Sequence, residues 1–201
     1  MIAPSFRGSQ AMQRLLAYTD VKEILDIGSG TGEQAEYMRH NNRRVTTVSM
    51  IPPANHLGDY LEINFNRYFD AIWASHVLEH QPNVNLFLQK CFMDLREDGL
   101  LAITVPPAKP EIVGGHLTTW NAGLLLYNLI LAGFDCREAR VSECYASAAQ
   151  YPPYNISVIV RKKPVKLPQL VFDNGDLERL APFFPCAITQ GFDGRLPSIR
   201  W

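Results

Sequence analysis

Apolar positions in this chain fall into two kinds of pattern. Short, continuously apolar or β-branched runs occur at residues 23–27, 44–49, 68–74 and 100–105. Runs of this kind suit strands of a sheet covered on both faces. Between them lie stripes at helical spacing. Met12, Leu15, Leu16 and Tyr18 mark a leading helix over 10–18, and Val84, Leu86, Phe87, Leu88, Phe92 and Leu95 mark another over 84–95. Further helices are expected over 32–40 and 119–132, and later strands over 134–142 and 156–161. Strands alternating with helices imply a parallel sheet with right-handed crossovers.

Breakers divide these elements. Pro52-Pro53 prevents a long helix after the second strand, so only 50–56 remain to connect it to a short segment at Asn55-His56-Leu57. Asp98-Gly99 ends the helix that starts at residue 84. Pro106-Pro107 opens a long loop reaching Gly115, where Thr118 is a candidate helix cap. Tyr151-Pro152-Pro153-Tyr154 reads as a turn before a last strand that returns without an intervening helix. Residues 164–201, with five prolines, read as an extension packed on a single domain of residues 1–163.

Composition narrows the class. At 201 residues, with 47% hydrophobic and 19% charged residues, the chain can bury a full core and is not a disordered segment. A formal net charge of −1 gives no electrostatic reason to bind nucleic acid. The one basic cluster, Arg161-Lys162-Lys163 with Lys166, reads as a solvated strand end. The most apolar stretch, 124–132, is too short to span a bilayer. The N-terminal residues lack a signal-peptide pattern, and the four cysteines form no C-x-x-C pair. These features favour a cytoplasmic protein without membrane insertion, and no metal-ligand set stands at recognisable spacing.

The chemistry is concentrated in residues 24–32, Ile-Leu-Asp-Ile-Gly-Ser-Gly-Thr-Gly. A strand, a glycine turn and a helix N-terminus form a nucleotide-sized cradle. The third glycine comes one residue too early for the dinucleotide fingerprint G-x-G-x-x-G. Asp26, two residues before the first glycine, suits a ligand with an amino group better than a diphosphate.

At this point the chain resembles the class I S-adenosylmethionine-dependent methyltransferases. The resemblance extends through Phe69-Asp70-Ala71-Ile72 with Ser75-His76-Val77-Leu78-Glu79-His80, through 95–101, and to Ala132-Gly133-Phe134. It implies a Rossmann-like, doubly wound α/β sheet of seven strands, mostly parallel, with an antiparallel last strand. It also implies S-adenosyl-L-methionine as cofactor, held by Asp26, Gly28, Ser29, Gly30 and Gly32. Asp59 would accept from the adenine amino group, and His76 would form a wall of the adenosine pocket. Ser49 stands where the family usually has an acid for the ribose hydroxyls, so that contact should be weaker here.

His80 and His116 are the candidate catalytic residues, since an imidazole is a suitable base for a hydroxyl near neutral pH. Trp73, Trp120 and Tyr127 read as packing residues, and Trp201 and Arg195 as groups that could close over the acceptor. The expected activity is O-methylation of a small molecule or bacterial glycan. The alternatives are a non-catalytic metabolite- or partner-binding domain on the same scaffold and, further off, a nicotinamide-dependent oxidoreductase.

Overall fold

The computed structural model describes residues 6–144, 155–173, 175–188 and 198–201. Seven strands form one sheet: β1 (Glu23–Ile27), β2 (Arg44–Ser49), β3 (His56–Leu57), β4 (Phe69–Ser75), β5 (Leu95–Val105), β6 (Arg140–Cys144) and β7 (Asn155–Arg161), in the order β3-β2-β1-β4-β5-β7-β6. β3 to β5 pair in parallel, and β7 runs antiparallel between β5 and β6. This is the doubly wound, mostly parallel α/β sheet expected from the sequence, with the antiparallel last strand in place. The turn expected at 151–154 lies outside the described residues, as does Arg195.

Helices cover both faces. Alternate strand residues Leu25, Ile27, Ile72, Ala74, Leu101 and Ile103 share a core with α3 (Val84–Asp94) and α4 (Ala122–Leu131). The opposite residues Ile24, Ala71, Trp73, Leu100 and Ala102 pack with α1 (Ser9–Leu16) and with Met38 of α2 (Glu33–His40). Side chains in a strand point alternately to opposite faces, so Asp26 shares the second face with Ile24 and Trp73. Trp73 and Trp120 are buried packing residues.

Several boundaries differ from the sequence expectation. β5 begins at Leu95 rather than at residue 100, with its register against β4 shifting between Phe69 and Ala71 and with Asp98 in the left-handed region. An irregular strand of this kind carries the turn residues Asp98-Gly99 inside it, where sequence reads them as a terminator. α4 starts at Ala122 because Asn121, not Thr118, caps it, its side chain accepting from Leu124 N–H at 2.7 Å. β6 begins at Arg140, since Asp135 and Arg137 close a local side-chain ring before it.

The described part of 164–201 lies against the rest of the molecule. Leu180, at the end of α5 (Asp176–Leu180), and Phe184 join the larger core, and Ile199 exchanges backbone hydrogen bonds with Val141. That pairing holds Trp201 against the α1-side core, near the start of β6, and not over the carboxyl edge of the sheet. The basic cluster is paired as a strand end: Arg161 with Asp20, Lys162 with Glu97 and Lys163 with Glu138.

Candidate active site

β1 lies between β2 and β4, and the chain leaves β1 toward one side and returns for β4 on the other. In open α/β sheets, such a switch point leaves a crevice at the carboxyl ends of the strands. Gly28 and Ser29 turn sharply there, both donating to Val48 C=O, at 2.8 and 3.1 Å. Gly28 has φ +74°, and a Cβ on it would fall 2.4 Å from a methyl carbon of Val77. Packing against the β4 turn thus fixes glycine at this position. Gly30 and Gly32 are also left-handed, yet a Cβ on either would meet nothing within 4 Å. The rim of the turn is open space, as a ligand cradle requires.

Asp26 is 1% exposed, and its Oδ2 has no hydrogen-bond partner. Burial pushes its carboxyl up to about 7, opposed in part by the Arg39 guanidinium. An unsatisfied buried oxygen is costly, and an ammonium group would relieve that cost by favouring the charged carboxylate. The Ser29 hydroxyl beside the turn is likewise buried and unpartnered. Two orphaned polar groups at a glycine rim fit the amino-acid end of S-adenosylmethionine.

The other expected cofactor contacts differ in how free they are. Ser49 is buried at the end of β2, and its hydroxyl accepts from Ile51 N–H at 3.2 Å. Asp59 is exposed after β3; its Oδ1 accepts from Leu61 N–H at 2.9 Å, capping the short 3₁₀ turn Tyr60–Glu62. His76 has φ +55°, an uncommon conformation for a non-glycine residue, and both its ring nitrogens are engaged by protein. Nε2 lies 3.0 Å from Asn155 Oδ1 and Nδ1 3.2 Å from Glu79 Oε1. Toward a ligand, His76 offers only the side of its ring.

The turn after β4 and the loop after β5 are joined by backbone. Glu79 C=O accepts from Leu117 N–H at 2.7 Å and Thr118 N–H at 3.2 Å, while the Thr118 hydroxyl donates to Leu78 C=O at 3.3 Å. His80 Nδ1 is 2.7 Å from Gly115 C=O, the glycine being left-handed with φ +81°. With Nδ1 as the donor, Nε2 keeps its lone pair. These contacts bring the rings of His80 and His116 to 5.0 Å, nearly perpendicular. Ligand atoms of Glu79, His80 and His116 all lie within 4.8 Å of one another.

Residues 7–130, more than half of the chain, match a methyltransferase-domain family. The chain belongs to that family. A curated relative, a ubiquinone biosynthesis O-methyltransferase of Glaesserella parasuis serovar 5, is 35% identical across 41% of this chain; the match spans 44% of the relative, less than half its length. Among solved structures, the Burkholderia thailandensis 1,6-didemethyltoxoflavin-N1-methyltransferase, crystallised with S-adenosylhomocysteine, superposes with a TM-score of 0.65. It is 19% identical, over 81% of this chain and 80% of that one. The N-methyltransferase NodS of Bradyrhizobium japonicum gives 0.62 at 19% identity, over 79% and 95%. These likenesses establish a shared fold.

In this member of the methyltransferase family, residues named from the first motif and residues named from the later loops meet at one edge of the sheet. Glu79, Asn155, Val77 and the Gly115 carbonyl also shape the site, and no sequence motif distinguishes them. Glu79 lies within the 75–80 motif between two histidines, with no local feature that sets it apart. Asn155 lies 79 residues from His76 in the chain, a pairing that no local signal carries.

Proposed function

We propose that this methyltransferase uses S-adenosylmethionine to methylate a hydroxyl of a small molecule or bacterial glycan. The observation that carries the reading is Asp26: a buried carboxylate with an unpartnered oxygen beside an open glycine turn. S-adenosylmethionine supplies a methyl group activated by its sulfonium charge. Asp26 and Ser29 bind the amino-acid end, and the 28–32 backbone leaves room for it. Ser49 and Asp59 stand on the side of the crevice that takes the ribose and adenine, and His76 walls it off from β7.

On the acceptor side, His80 keeps Nε2 outside any hydrogen bond among the described residues, 4.0 Å from Glu79 Oε1, and its side chain is 46% exposed. It is placed to take the hydroxyl proton as attack proceeds, with His116 across from it to orient the acceptor. The O-acceptor agrees with the name of the curated relative and with a proton acceptor on this side of the pocket; an amine acceptor has less need of one. With a formal charge of −1, the surface offers no general attraction for nucleic acid. Residues 1–163 carry the site in this reading, and 164–201 are an extension packed on them.

The test is calorimetric titration with S-adenosylhomocysteine, followed by transfer of labelled methyl from S-adenosylmethionine into fractionated metabolites and glycans. Saturable binding with label in a neutral, base-stable ether is the expected result. Binding without any labelled acceptor would instead favour the non-catalytic scaffold, and label in an amine would replace the O-acceptor.

A further inference from the structure

We propose that Glu79, His80 and His116 form a site for one divalent transition-metal ion of the zinc type on the acceptor side of the crevice. Two imidazoles and a carboxylate are a donor set typical of catalytic zinc, leaving a position open for a further ligand. Imidazole donors favour zinc, cobalt or nickel over magnesium, which prefers an oxygen shell.

Three features of the chain point to an ion. The ligand atoms come from two loops but converge within 4.8 Å, with His80 Nε2 4.0 Å from Glu79 Oε1. Zinc takes such ligands at roughly 2.0–2.2 Å, so the groups need to draw together by about an ångström to share one. His116 sits in the partly exposed loop and His80 is half exposed, so both rings have room to do so.

Second, His80 is already oriented as a ligand. Its Nδ1 is hydrogen-bonded to the Gly115 carbonyl, which aims the opposite nitrogen away from the backbone. Metal-bound histidines nearly always have such an outer partner.

Third, Glu79 is 1% exposed, and its Oε2 is buried with no partner. Its other oxygen faces His76, which Asn155 holds from β7, and Asn155 in turn donates to Ser157 at 2.7 Å. A buried carboxylate oriented through a chain of contacts, with Oε1 between His76 and His80 and Oε2 without a hydrogen-bond partner, is poised for a cation.

This inference deepens the methyl-transfer reading and rests on it for what the ion does. The acceptor hydroxyl would bind the open position and release its proton to water, because the His80 lone pair is then on the metal. The resulting oxygen lone pair attacks the methyl carbon. The O–C bond forms as the S–C bond breaks, and that electron pair stays on sulfur. The ion thus replaces proton acceptance by His80.

The test uses the full chain after chelator treatment, titrated separately with Zn²⁺, Co²⁺ and Mg²⁺. One equivalent of Zn²⁺ should bind, Co²⁺ should give visible d–d absorption that Zn²⁺ abolishes, and Mg²⁺ should not compete. Affinity for Zn²⁺ should fall by more than the roughly 10- to 100-fold of a lost outer partner in both Glu79→Gln and His116→Ala. His116→Ala alters only a loop residue, so it remains informative if Glu79→Gln folds poorly. Failure of the wild type to take up a stoichiometric ion overturns the site, as does undiminished uptake by His116→Ala. S-adenosylhomocysteine titrated into the same samples separates the two readings. Cofactor binding without zinc rejects the metal alone, whereas zinc without cofactor binding rejects the methyltransferase reading and leaves the site standing.

Discussion

Asp26 and Glu79 are two carboxylates at the same edge of one sheet, equally buried, each with one oxygen unpartnered. They are held in different ways. Asp26 is part of β1, surrounded by strand, and the charge that acts on it among the described residues is the Arg39 guanidinium. Desolvation therefore dominates, and its carboxyl holds a proton up to about pH 7. Glu79 belongs to a one-turn 3₁₀ helix, with His76 and His80 at 3.2 and 4.0 Å. One acid waits for a charge that a ligand must bring. The other stands among imidazoles that its own chain provides. Under the proposed function the first half of the site binds, and the second handles protons or a cation.

The sharpest way to break this division is His80→Ala. It should lower turnover by roughly 10²- to 10⁴-fold while leaving the S-adenosylhomocysteine dissociation constant within about twofold. Turnover and calorimetry on one preparation check this, and a matching loss of cofactor affinity would merge the two halves. This expectation holds whether the imidazole takes the proton or ligates an ion.

Asp26→Asn should act on the other half. Loss of the charged partner should weaken cofactor binding by about 100-fold or more. The same substitution should stabilise the unliganded protein above pH 7. The folded-state value of about 7 exceeds the ordinary 3.8, so this group's contribution to stability falls as pH rises between those values. Removing the charge restores stability on the order of 2–4 kcal/mol at most, readable as a higher thermal midpoint without ligand. An Asn variant that binds normally would put Asp26 outside the site, and one that melts no higher at pH 8 would contradict the raised carboxyl value.

Smaller effects sharpen the comparison. Cofactor affinity should decline by up to about tenfold per pH unit below 7, as Asp26 takes up a proton that binding must remove. Calorimetry between pH 5.5 and 8 tests this, and a flat profile speaks against a protonated free acid. Ser49→Asp should improve affinity a few-fold by offering a charged acceptor to the ribose. No gain would mean that the Ser49 position, already turned toward Ile51 N–H, faces away from the sugar.

The binding half was readable before the proton-handling half, for a physical reason. Asp26 and the glycines are contiguous, and a strand–turn–helix cradle is a local structure whose chemistry is written in nine consecutive residues. The same holds for β1 and β2, whose bounds the apolar pattern placed correctly. β5 was misjudged at its start because Asp98-Gly99 sits within an irregular strand. The α4 start was missed because Asn121 outcompeted Thr118, whose hydroxyl is used on Leu78 C=O. Glu79 acquires meaning only when Leu117 and Thr118 dock on its carbonyl and bring His116 alongside, across more than 35 residues of chain. His76 needs Asn155 from the antiparallel strand. Such long-range juxtapositions follow from topology, which a pattern of residues constrains but does not position to an ångström.

Proton release on cofactor binding examines the central claim most directly. S-adenosylhomocysteine is titrated at pH 6 in buffers of differing ionisation enthalpy, into the wild type and into His80→Ala. Both should release close to one proton per ligand bound, fading as pH passes about 7, because Asp26 must ionise to meet the ammonium. Binding that releases no proton at pH 6 would contradict a buried acid that must ionise to meet the cofactor's charged end.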